Sequence, residues 1–128
     1  MSKKSKNKSN YKPKNYSAIP HAILDDPDFL SLNWSSQCLL IHMTRFYNGF
    51  NNGDLSIPIS IMKKRGWTRG TLERSKKDLL NNNWILVTRQ GFKKTCSLYA
   101  LTWIPIDDCK GKLDIKGGGL KLRRLLKG

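Results

Sequence analysis

The 128-residue sequence predicts an α+β fold, mainly helical, with a three-helix core followed by a two-stranded hairpin. Three observations point there. Apolar residues recur at helical spacing across 35–48, two further helical segments face each other across Gly66 and Thr68, and after Asn83 the pattern switches to β-branched and apolar runs broken by one polar turn. With 38% apolar and 9% aromatic residues the chain can bury one small core, but not two. The expected organisation is therefore a basic arm over 1–15, one folded domain over 16–106 and a basic tail over 107–128.

The arm, MSKKSKNKSNYKPKN, holds six Lys, three Ser and three Asn and no aliphatic side chain beyond Met1, so it cannot repay the entropy of ordering. It reads as disordered, either contacting phosphates or acting as a solubilising tail. Next, Ile19, Ile23, Leu24, Phe29 and Leu30 surround Pro20 and Pro27, which suggests a short extended lead-in and a helical turn or two. Asp25, Asp26 and Asp28 read as helix-terminal, solvated acids rather than metal ligands, because no Gly-containing calcium-loop pattern accompanies them.

The main core helix is expected over 35–48. Leu39, Met43, Phe46 and Tyr47 form its stripe, Leu40 flanks it, and Gly49 stands where a C-terminal cap would. His42 lies beside the stripe with no partner at metal-ligand or catalytic spacing, and His21 is equally isolated; both read as structural or exposed. Asn52-Gly53 signals a turn, and Leu55-Ser56-Ile57 a brief strand.

The stretch 57–81 organises the rest. Pro58 suits the first turn of a short helix carrying Ile59, Ile61 and Met62, which Gly66 ends. Thr68 has the chemistry of an N-cap for a second helix from Arg69 to about Asn81. On that helix Leu72, Ser75, Leu79 and Leu80 share one side, and Gly70, Arg74, Lys77 and Asn81 the other. One face packs while the other is basic, the layout of a helix-turn-helix whose second helix enters a major groove. A strand over 84–89, a polar turn over 90–94 and a strand over 95–104 complete a hairpin, which Pro105 ends. In the tail, Gly117-Gly118-Gly119 precedes LKLRRLLKG, too short for a stable isolated helix, so a flexible cationic tail is expected.

The net charge is +15, and its distribution is uneven: +6 over 1–24, −3 over 25–54, +8 over 55–106 and +4 over 107–128. A polyanionic partner follows, because each cation that meets a phosphate releases condensed counterions. Nucleic acid is the expected partner, and no apolar run approaches a membrane span or a signal peptide. Cys38, Cys96 and Cys109 have no CxxC spacing, so neither a disulfide framework nor a structural zinc site is suggested, and reduced thiols in a cytoplasm fit best. An enzyme is disfavoured: neither histidine has a pairing for nucleophilic catalysis, and no phosphate-binding Gly loop or nuclease-like carboxylate cluster is visible. No cofactor is expected. Of Trp34, Trp67, Trp84 and Trp103 most should pack in the core, and Trp67, beside the second helix of the pair, is the candidate for stacking on a base.

IPHAILDDPDFLSL, the NNGD turn, IPISIMKKRGWTRGTLERSKKDLL and NNWILVTRQG together resemble, from Tyr16 to about Ile106, the winged-helix DNA-binding domains of phage and plasmid replication proteins and related prophage helix-turn-helix proteins. The resemblance implies a three-helix core with a two-stranded wing, and a recognition helix whose segment Arg69 to Lys77 faces the groove. The expected function is duplex-DNA binding by a phage or other mobile element, as a transcriptional regulator or replication accessory. Arg69, Thr71, Arg74 and Lys77 would read bases or anchor phosphates; Lys63, Lys64 and Arg65 would grip the adjacent backbone; Arg89, Lys93 and Lys94 would act from the wing. The alternative is an interaction protein that docks on RNA or a host ribonucleoprotein. No heptad seam is visible, which leaves a monomer or a weak homodimer.

Overall fold

A computed structural model of the chain describes residues 15–114. Residues 1–14 of the arm expected over 1–15, and the segment 115–128, including LKLRRLLKG, lie outside the described residues. The fold is α+β. Two single-turn helices, α1 (His21–Leu24) and α2 (Pro27–Leu30), precede the long helix α3 (Trp34–Phe46). Then follow the short α4 (Ile59–Met62), α5 (Arg69–Asn81) and the strands β1 (Ile85–Arg89) and β2 (Leu98–Leu101), which pair antiparallel.

Local chemistry accounts for most boundaries. Asp26 opens α2, its carboxylate accepting the Asp28 N–H at 2.8 Å, with Pro27 in the first position. Helix α3 begins one residue earlier than expected and stops at Tyr47, whose backbone is extended; Gly49 does not cap it. Instead the Asn51 amide donates to the Phe46 carbonyl at 3.0 Å, so a side chain takes the role assigned to a glycine. Pro58 precedes α4 in an extended conformation rather than lying in its first turn. A 3₁₀ turn over Lys63–Arg65 continues α4 and ends at Gly66, whose φ of 94° is in the left-handed region. Thr68 caps α5, accepting the Thr71 N–H at 3.3 Å.

The core forms where α3 and α5 cross beneath the hairpin. Leu39, Leu40 and Met43 of α3 meet Met62, Leu72 and Leu79, and Trp84, Ile85 and Leu101 close the cluster from the sheet. Trp84 is fully buried between Phe29 and Trp103, with ring centroids 6.0 and 6.5 Å away in edge-to-face geometry. The expected strand at 55–57 is a single antiparallel bridge from Leu55 to Tyr99, held by N–H···O contacts of 3.2 and 2.8 Å.

β2 is shorter than expected because of what happens at both its ends. Toward the turn, the Ser97 hydroxyl, and not a backbone carbonyl, accepts the Gly91 N–H at 2.8 Å. At the other end, the buried Asn52 amide gathers the carbonyls of Leu101, Ile104 and Pro105 at 3.0, 2.9 and 3.2 Å, which turns the chain out of the sheet. The register shifts between Val87 and Arg89, and at this irregularity Thr88 points inward and donates to the Gly53 carbonyl.

Residues 107–114, expected as part of a flexible tail, are packed. The Asp107 N–H donates to the Asn52 carbonyl and the Asp114 N–H to the Thr88 carbonyl, both at 2.8 Å. Lys112 pairs with Asp54 at 3.0 Å. Leu113 packs with Leu86 on a second small cluster formed by Ala100 and Ile106. One apolar side chain and a few backbone bonds thus cover the outer face of the hairpin, in a segment whose local composition is polar.

Candidate nucleic-acid interface

Helix α5 separates its faces as its periodicity requires. Leu72, Ser75 and Leu79 are buried and Leu80 half-buried, whereas Gly70, Arg74, Lys77 and Asn81 are exposed. Arg69 is exposed in the first turn. The helix carries two acids, and both are engaged. Glu73 pairs with Lys76 at 3.1 Å; Asp78 turns toward α3, where the Ser36 hydroxyl donates to it at 2.6 Å, and also accepts from the Asn82 amide at 2.9 Å. Among the described residues Arg69, Arg74 and Lys77 have no carboxylate partner, so the exposed face keeps its positive charge.

The first turn of α5 has its own order. The Thr68 hydroxyl donates to Thr71 Oγ1 at 3.1 Å, and Arg74 donates to the same oxygen at 3.3 Å. Thr71 is therefore a bracket for Arg74. The guanidinium lies back along the helix toward Gly70, where an added Cβ would stand 3.2 Å from its terminal nitrogen. Gly70, a poor helix former, leaves room for that arginine beside the first turn of the helix.

The hairpin runs beside this turn. Arg69, Glu73 and Lys76 line one groove with Ile57, Pro58 and Ile59 on one side and Cys96, Ser97 and Tyr99 on the other. Lys76, which sequence reasoning passed over, is held there by Glu73 and by the Tyr99 ring, 5.9 Å from its ammonium. Lys93 and Lys94 are exposed at the hairpin tip, and Lys93 stands 5.3 Å from the Phe92 ring centroid.

The remaining sites divide. Lys63 and Lys64 are exposed on the 3₁₀ turn. Arg65 instead turns back onto α3: it lies over the Phe46 ring at 5.2 Å and donates to His42 Nδ1 at 3.0 Å. Arg89 is half-buried and reaches across the hairpin to the Cys96 carbonyl at 3.2 Å, bracing the two strands. Trp67, the expected stacking residue, is only 8% exposed and packs edge-to-face on His42 with centroids 5.8 Å apart, so it belongs to the core.

No protein-family model, curated protein or solved structure matches the chain.

His42 is held below the usual histidine range, first by burial and then by the Arg65 charge, so its neutral ring accepts the arginine's hydrogen bond. Burial, and then nearby carboxylates led by Asp54, pushes the Cys109 thiol up, away from the reactive thiolate. Among the described residues no three His, Cys, Asp or Glu side chains gather as a metal site would require, and no helix is long and apolar enough to cross a membrane. Of the four tryptophans, Trp34 rather than Trp67 is the exposed one, and the sequence reading did not single out the exposed Phe92, which nothing in the sequence distinguishes from a core residue.

Proposed function

We propose that the chain binds duplex DNA as a winged helix-turn-helix protein, with α5 in the major groove and the hairpin as a wing on the adjacent backbone. The observation that carries this reading is the face of α5: Arg69, Arg74 and Lys77 are exposed while both acids of the helix are drawn into other contacts. Glu73 shares that face but is paired with Lys76, and three exposed cations without a carboxylate partner among the described residues are what a phosphate-lined groove rewards. The order of two helices, a tight turn and a hairpin supports the same reading, and the hairpin tip adds Lys93 and Lys94. The role is binding rather than catalysis, with no cofactor. The resemblance to phage and plasmid proteins makes a transcriptional regulator or replication accessory of a mobile element the proposed setting.

The test replaces Arg74 and Lys77 with alanine in the full chain and measures duplex binding by anisotropy beside a thermal melt. Both side chains are exposed, so the melt should not move, while affinity should fall by about 1–3 kcal/mol for each residue that reads a base and less for one that meets only phosphate. Unchanged affinity removes α5 from the interface. Tighter binding of structured RNA than of duplex DNA at matched salt would replace DNA with RNA as the partner.

A further inference from the structure

We infer that Phe92 is a wedge: its ring enters the base stack of the duplex where the hairpin tip meets a groove and unstacks one step. The inference rests on the duplex-binding reading above and adds to it a mode of contact that charge alone does not supply.

Phe92 is 72% exposed and belongs to neither buried cluster, yet the backbone that carries it is fixed. Its N–H donates to the Thr95 carbonyl at 3.1 Å and the Thr95 N–H returns the bond at 3.0 Å, closing a turn with only Lys93 and Lys94 between them. Behind it Gly91 is clamped. Its N–H meets the Ser97 hydroxyl, and a Cβ there would stand 2.6 Å from both the Ser97 nitrogen and the Thr95 oxygen. The Gln90 N–H is held by the Asp114 carboxylate at 3.1 Å, which ties the base of the turn to the packed segment 107–114. The tip is thus a braced platform that presents an aromatic ring outward.

A solvent-facing phenyl ring gains nothing from such bracing unless something covers it. The two lysines beside it favour an anionic cover, and Lys93 already stands at the ring. Duplex DNA offers both parts: phosphates for the ammonium groups and an apolar stack for the ring. Opening a step costs a few kcal/mol, which burial of the ring and the closer phosphate contacts of a kinked duplex offset.

The experiment uses the full chain and short alternating dA-dT duplexes with 2-aminopurine replacing single adenines, whose emission rises when the base is unstacked. Binding is followed by anisotropy in the same cuvette. At saturation the wild type should raise the emission, Phe92→Ala should not, and Phe92→Leu should restore it, since a wedge needs apolar bulk rather than a π-face. Phe92→Ala should also weaken binding about tenfold. Saturated wild-type complexes without an emission rise, or a rise that survives in Phe92→Ala, overturn the wedge and leave duplex binding intact. Failure of the wild type to bind the duplexes at low salt overturns both.

Discussion

Replacing Asn52 with alanine should unfold the protein more readily than any single change on its surface. Asn52 is fully buried, and its side chain makes four contacts: it accepts the Leu101 N–H at 2.8 Å and donates to the carbonyls of Leu101, Ile104 and Pro105. Alanine removes all of them. The Ile104 and Pro105 carbonyls lie nearer the surface, where water can replace the amide, but the Leu101 N–H and carbonyl sit in the core. Two buried backbone groups left without partners, at about 1–3 kcal/mol each, give a loss of roughly 2–6 kcal/mol. At roughly 4–8 °C per kcal/mol for a folded region of this size, that is a drop in melting temperature of at least about 8 °C. Asn52→Asp should be no better, because a carboxylate in place of the amide would face three carbonyl oxygens. Urea denaturation measures the effect, and the midpoint should fall at constant m-value. A loss below about 1 kcal/mol would show that the amide is not what joins the turn after α3 to the hairpin.

Two further changes separate local structure from binding. Gly70→Ala should stabilise α5 by about 0.5–1 kcal/mol, because the added Cβ meets only the movable end of Arg74, yet it should weaken duplex binding by displacing that guanidinium; a lower melting temperature would refute the packing described. The depressed His42 pKa makes stability depend on pH. The unfolded chain takes up the proton first as pH falls below about 6.5, so the contribution present above that value is lost as pH falls toward the lower folded pKa. His42→Gln, which can still accept from Arg65, should flatten that part of the stability profile, and a profile identical to wild type would assign the pH dependence elsewhere.

Where neighbours in sequence settle the structure, the sequence was legible. The bounds of α5 follow from Thr68 and from the spacing of Leu72, Ser75 and Leu79, and its basic face follows from the same period. Contacts between distant residues were not legible. Asn52 reads as half of a turn dipeptide, while its partners lie 49 to 53 residues away along the chain. Arg65 and His42 are separated by 23 residues, so nothing local shows that this exposed arginine also bonds back to α3. The segment 107–114 has a polar composition, and only the fold reveals that Leu113 has an apolar face to cover. The basic face of the candidate site could therefore be read from periodicity, whereas the contacts of Arg65 with His42 and of Arg89 with the Cys96 carbonyl could not.

Salt dependence is the most direct test of duplex binding through α5. The full chain and Arg69→Ala/Arg74→Ala/Lys77→Ala are titrated onto duplex DNA, single-stranded DNA and structured RNA over a series of salt concentrations. Duplex should be preferred at matched salt, and the slope of log K against log salt should become shallower by about 3 in the triple variant, close to one released counterion per lost phosphate contact. Equal slopes for the two proteins, or equal affinity for all three nucleic acids, would contradict a groove-facing α5.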